Sequence, residues 1–132
     1  MKKIILFISL IFCGIVSNAQ SYYVATKTEL YTYNFNTEEW ELRQNNPDVN
    51  IIVVMEEEFL TIEANSPTMY KIFKDTGKDI GTKSFTGYRY KSIDLKKNDI
   101  CSMDVVKFGD SSYMISIIKG TDYNLRYYIK TK

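Results

Sequence analysis

Carboxylates are the side chains through which this chain could do acid–base chemistry, because its 132 residues include no histidine. That absence removes Ser-His-Asp and Cys-His nucleophile systems and His-bearing zinc sites. It also removes the one side chain that ordinarily titrates near neutral pH. Two cysteines, Cys13 and Cys101, cannot build a multi-cysteine metal site. The six glycines are scattered singly, so neither a P-loop nor a dinucleotide fingerprint occurs. Glycoside hydrolysis needs only two acidic side chains, roughly 5–10 Å apart across a cleft. Glu39, Glu41, Glu63, Asp94 and Asp104 are the candidates. Sequence spacing brings no two of them together, and the wet faces of strands account for them equally well. We therefore expect no enzyme, no cofactor and no metal site.

Three denser clusters have ordinary explanations. Glu56-Glu57-Glu58 could gather a cation, but consecutive strand residues point to opposite sides and cannot all converge. A solvated turn is the better reading. Asp75-Thr76-Gly77-Lys78-Asp79 lacks the alternating oxygen ligands and distal glutamate of a calcium loop, and reads as a turn. Cys101 alternates with Met103 and Val105, which places it on an apolar face as an inert small hydrophobe.

Eleven tyrosines offer binding rather than catalysis. Aromatic rings with polar tips stack on sugars and fill protein interfaces, although a tyrosine-rich sheet must also pair them across strands. Tyr88, Tyr90 and Tyr128 are the candidates for a partner surface. Ile100, Val106, Met114 and Ile118 join them, because these apolar residues fall on the strand faces expected to be wet.

The elements that must position these residues are strands. Tyr123–Lys130 alternates Tyr123, Leu125, Tyr127 and Ile129 with Asn124, Arg126, Tyr128 and Lys130, the period-two signature of a half-buried strand. Ser112–Lys119, Ile100–Phe108 and Tyr88–Ile93 precede it, separated by Lys119-Gly120-Thr121-Asp122, Phe108-Gly109-Asp110 and Asp94–Asp99. Links this short join antiparallel neighbours. The same pattern runs back to Tyr22. A hairpin is expected around Phe35-Asn36-Thr37-Glu38, with Trp40 pointing inward. Ile51–Met55 reads as a strand buried on both faces. Further strands are expected at Phe59–Ala64, Met69–Lys74 and, weakly, Ile80–Phe85. Outside residues 1–19 no apolar 3.6-residue period is sustained. The fold class is thus all-β, a single antiparallel meander of about nine or ten strands closing into a small barrel, with a two-sheet sandwich as the alternative. Its outline resembles the small calycin-like barrels, a likeness of fold that carries no function.

Met1–Ala19 has the form of a signal peptide. Lys2 and Lys3 precede an apolar run from Ile4 to Val16, and Ser17-Asn18-Ala19 sets small residues before Gln20. The run is shorter than the roughly 20 residues a membrane-spanning helix needs. Cys13 is not read as a lipid anchor, because Phe12 is too large for the position before a lipidated cysteine. Residues 20–132 then form one domain, exported to the periplasm or beyond and without a membrane anchor after cleavage. Of 17 basic residues, Lys2 and Lys3 lie in the leader, leaving 15 against 16 acidic. This balance gives no electrostatic basis for nucleic-acid binding. The leading functional expectation is a binding module for an envelope protein or a glycan. The alternatives are a carrier whose lumen is lined by Trp40, Leu42, Met103, Ile115, Leu125 and Ile129, and a histidine-free carboxylate hydrolase.

Overall fold

In the chain's computed structural model, residues 21–64 and 66–130 are described; the signal-peptide expectation for residues 1–19 lies outside them. Nine strands follow one another: β1 (Ser21–Asn34), β2 (Glu39–Asn46), β3 (Ile51–Met55), β4 (Phe59–Glu63), β5 (Thr68–Asp79), β6 (Phe85–Asp94), β7 (Asp99–Phe108), β8 (Tyr113–Lys119) and β9 (Tyr123–Ile129). From β3 to β9 each strand hydrogen-bonds to the next, all antiparallel. β1 closes the sheet, pairing with β3 through Ser21–Ala25 and with β9 through Ala25–Tyr31. Eight strands therefore form a closed barrel, and a sandwich is ruled out. β2 is the extra strand, paired with β1 alone.

The alternation predicted from sequence sets the inside of the barrel. Cys101, Met103, Val105, Tyr113, Ile115, Ile117 and Ile129 are all buried, and Leu125 packs against them. Tyr90, Met55, Leu60, Ile72, Met103 and Ile117 are the largest side chains sealed from solvent. The opposite faces of the same strands carry a row of polar partners. Arg89 on β6 is opposite Asp104, Asp104 is opposite Ser116, Ser116 is opposite Arg126, and Arg126 is opposite Glu29 on β1. An apolar interior with ions outside is the reverse of a transmembrane barrel, which turns an apolar band to lipid and encloses a polar lumen.

Two turns share one device. Asn34 Oδ1 accepts hydrogen bonds from the amides of Asn36 and Thr37, and Asp94 Oδ1 accepts from Lys96 and Lys97. Each turn then passes through a left-handed residue, Glu38 (φ 57°) or Asn98 (φ 59°), before the chain returns.

Three expectations are corrected. Asp75–Asp79 lies within β5, where the register shifts between Phe73 and Lys78. The Thr76 hydroxyl accepts a hydrogen bond from the Lys91 amide, 2.8 Å away, and fastens this irregular stretch to β6. The turn falls instead inside Ile80–Phe85, where Asp79 Oδ1 accepts from the Gly81 amide at 2.8 Å. In β3, Val53, Val54 and Met55 are buried but Ile52 is 42% exposed, so the strand is not covered on both faces.

Cys101 occupies the inward face as expected, with its Sγ 3.0 Å from Ser92 Oγ. Burial pushes its thiol pKa up, so little reactive thiolate forms near neutral pH. In protein carrying Cys13→Ser, a thiol reagent should leave the folded chain unmodified and label one site in denaturant. Rapid labelling of the folded protein would mean that β7 does not present Cys101 to the core.

Candidate functional site

The alternating course of the strands gathers the β1–β2, β4–β5, β6–β7 and β8–β9 links at one end of the barrel. At this mouth an open cleft of about 380 Å³ is lined by Leu30, Ser66, Thr68, Tyr70, Asp94, Lys96, Lys97, Tyr123, Leu125 and Tyr127. Barrel mouths of a few hundred Å³ are a recurrent place for ligands. Each lining residue has a structural reason to be there. Leu30, Tyr70, Leu125 and Tyr127 sit where the inward faces of β1, β5 and β9 reach the rim. Tyr123 is the first residue of β9 and remains partly exposed. Lys96 and Lys97 are carried by the turn that Asp94 fastens. Lys96 Nζ donates to Ser66 Oγ, which ties the β6–β7 turn to the β4–β5 link across the opening.

Tyr70 and Tyr127 form the buried floor of the cleft, and Tyr123 is part of its wall. Among the described residues no hydrogen bond satisfies any of these three hydroxyls. Burial raises all three pKa values, that of Tyr127 to about 12. The hydroxyls therefore stay protonated at neutral pH and can act as hydrogen-bond donors.

Two other openings are built differently. One of about 340 Å³ lies among Thr26, Lys27, Pro47, Asp110, Tyr113, Tyr128 and Lys130. The other, about 420 Å³, lies between the Thr82–Thr86 and Lys107–Ser111 segments and is the shallowest of the three. Neither has the mouth's set of inward-facing tyrosines. The mouth has one lining carboxylate, the 340 Å³ opening has one, and the 420 Å³ opening has none.

The candidate carboxylates are spread around the barrel. Asp104 is on the outer face in a two-bond fork with Arg89, Nε–Oδ1 2.7 Å and Nη2–Oδ2 2.9 Å. Glu41 bonds Asn34 at 3.0 Å and Arg43 at 3.2 Å. Glu39 and Glu63 are exposed strand residues, and Asp94 fastens the mouth turn. Glu56-Glu57-Glu58 forms the β3–β4 turn, and among the described residues no group of three acidic or cysteine side chains could hold a metal.

The proposed partner surface does not form a single patch. Tyr90 is completely buried, because β6 turns Tyr88 and Tyr90 toward the interior, their rings 6.4 Å apart. Val106 is on the outer face yet only 2% exposed. It lies over Gly87, where an added Cβ would come within 3.1 Å of Val106 Cγ2. Val106, Met114 and Tyr128 are neighbours in one cross-strand row. Ile118 is partly exposed opposite Asn124. Ile100 is 62% exposed opposite Ile93, apart from that row.

Trp40 and Leu42 are the clearest correction. Both lie on β2, outside the closed barrel, and Leu42 is 49% exposed. Beyond Tyr31, β1 has no further partner on β9, so β1 and β2 continue as a two-stranded arm. On the arm the Tyr33 ring meets Trp40 edge-on at 5.3 Å and Phe35 at 5.1 Å, and Phe35 is 71% exposed. Sequence reasoning missed the cleft as well. Its tyrosines share the period-two signal of core residues, and only strand order shows which of them reach a rim.

No family model, curated protein or solved structure matches the chain.

Proposed function

We propose that the chain is an exported, non-catalytic binding module whose ligand is a glycan held at the barrel mouth. The observation that carries this reading is the cleft of about 380 Å³ in which three tyrosines present hydroxyls with no hydrogen-bond partner among the described residues. A partly exposed tyrosine ring gives a saccharide an apolar face to stack on, and free hydroxyls give its oxygens hydrogen bonds. Export is supported by the form of Met1–Ala19. The carrier alternative has less support, because Met103, Ile115, Ile117 and Ile129 meet in a filled interior and Trp40 and Leu42 lie elsewhere. The hydrolase alternative has less support too, because no cleft described above is lined by two carboxylates.

A panel of oligosaccharides titrated by calorimetry tests the reading. At least one should bind, and Tyr123→Ala should weaken it about tenfold, the loss of one stacking and hydrogen-bonding side chain worth ~1.4 kcal/mol. Its melting temperature should stay close to that of the parent protein, because Tyr123 is partly exposed. A panel without binders, or a Tyr123→Ala variant that binds as well as the parent, would overturn the assignment.

A further inference from the structure

We infer that the mouth selects an acidic saccharide, one that places a carboxylate between the tyrosine hydroxyls and the Lys96–Lys97 turn. This inference rests on the glycan reading above and narrows its ligand class.

Positive charge and hydrogen-bond donors dominate the cleft lining. The cleft offers two lysine ammonium groups and three tyrosine hydroxyls without hydrogen-bond partners among the described residues. Its single carboxylate is already partly engaged. Asp94 is the one carboxylate in the lining, and its Oδ1 takes the amides of Lys96 and Lys97 at 2.9 and 3.1 Å. Ser66 Oγ accepts from Lys96, and the Thr68 hydroxyl donates to the Ser66 carbonyl. Two lysines against one aspartate leave the lining net positive. A neutral sugar hydroxyl can exchange hydrogen bonds with the tyrosine hydroxyls but draws nothing from the net positive charge. An ionised carboxylate only accepts, and its hydrogen bonds are charge-assisted. Lys97 is exposed and, among the described residues, no ion pair holds its ammonium, so it can turn toward a ligand; Lys96 needs only to exchange Ser66 for it.

The test compares tri-galacturonate with its fully methyl-esterified form, the same sugar with its charge removed, by calorimetry and amide-shift mapping on the intact protein. The acid should bind at least tenfold tighter and shift Tyr70, Tyr123 and Tyr127 amides. The advantage should shrink toward about 1 M salt, where the screening length falls to ~3 Å. A Lys96→Gln, Lys97→Gln double variant should lose the acid's advantage and bind acid and ester alike. Equal binding of acid and ester in the cleft overturns the inference and leaves the glycan reading standing. A preference for acid that is unaffected by salt also overturns it, and this comparison needs no variant. If no saccharide, acidic or neutral, binds at the mouth, the glycan reading fails together with the inference.

Discussion

Replacing Ile117 with alanine should lower the unfolding free energy by about 2–5 kcal/mol, the range for truncating a fully buried aliphatic side chain. Ile117 is completely sealed from solvent, opposite Met103 on β7 and Leu125 on β9. The substitution removes the transfer free energy of the lost carbons and leaves a void, because the walls of a closed barrel are fixed by hydrogen bonds on both sides of each strand. Domains of this size are typically stable by about 5–15 kcal/mol, so the loss is a large share of the total. Urea unfolding should show a lower midpoint with an unchanged slope. A loss below about 1 kcal/mol would be too small for a sealed site and would mean that the interior is hydrated or able to collapse.

The second large effect belongs to Glu29 on the outer face. Tyr128 donates to its Oε1 at 2.6 Å, Tyr31 donates to the same oxygen at 3.1 Å, and Lys27 Nζ is 3.4 Å from Oε2. The carboxylate side chain is 11% exposed. Burial opposes its charge, but the hydroxyls of Tyr128 and Tyr31 and the charge of Lys27 outweigh it and hold the pKa below the ordinary value. A group whose folded pKa is depressed stabilises the protein above its unfolded pKa. That contribution is lost as pH falls from the usual glutamate range through the lower folded value. Glu29→Ala should cost about 1–3 kcal/mol at neutral pH, because two part-buried hydroxyls lose a charged acceptor. The difference between parent and variant should narrow as the solution is acidified below about pH 4, where the parent's carboxylate also protonates. A difference that stays constant from neutral to strongly acid pH would show that packing, not ionisation, sets the cost.

Much of the barrel was legible because inward and outward residues alternate without interruption over β6 to β9. Cys101, Met103 and Val105, then Ile115 and Ile117, then Tyr127 and Ile129 could be assigned to one face from spacing alone. What spacing does not give is which face closes on the core when both carry apolar groups. Tyr88 and Tyr90 were candidates for a partner surface as aromatic rings with polar tips, yet Arg89 and Lys91, which alternate with them, are the outward pair. Val106 looked exposed because Met103 and Val105 already accounted for the core, yet it settles against the bare backbone of Gly87. Trp40 looked buried because its neighbours are charged. β2 pairs with β1 on one side only, however, and alternation cannot distinguish a strand in the barrel wall from one beside it. The mouth was illegible for a related reason. Leu30, Tyr70, Asp94 and Tyr123 are far apart in sequence: Tyr70 meets Asp94 through the pairing of β5 with β6, and Leu30 joins β9 at the rim because β1 closes the barrel.

That closing contact also fixes the order of assembly. Glu29 and Tyr128, bonded across the seam, are 99 residues apart in the chain. Hairpins such as β6–β7 and β8–β9 form from near neighbours, whereas the seam must close a loop spanning most of the domain, and its entropic cost grows with the logarithm of that length. Topologies dominated by such distant pairings fold slowly. The seam should therefore form late, after the local hairpins. Until it forms, the outer edge of β9 and the edge of β1 that receives it are unpaired, which makes the unsealed sheet the species most exposed to intermolecular strand pairing.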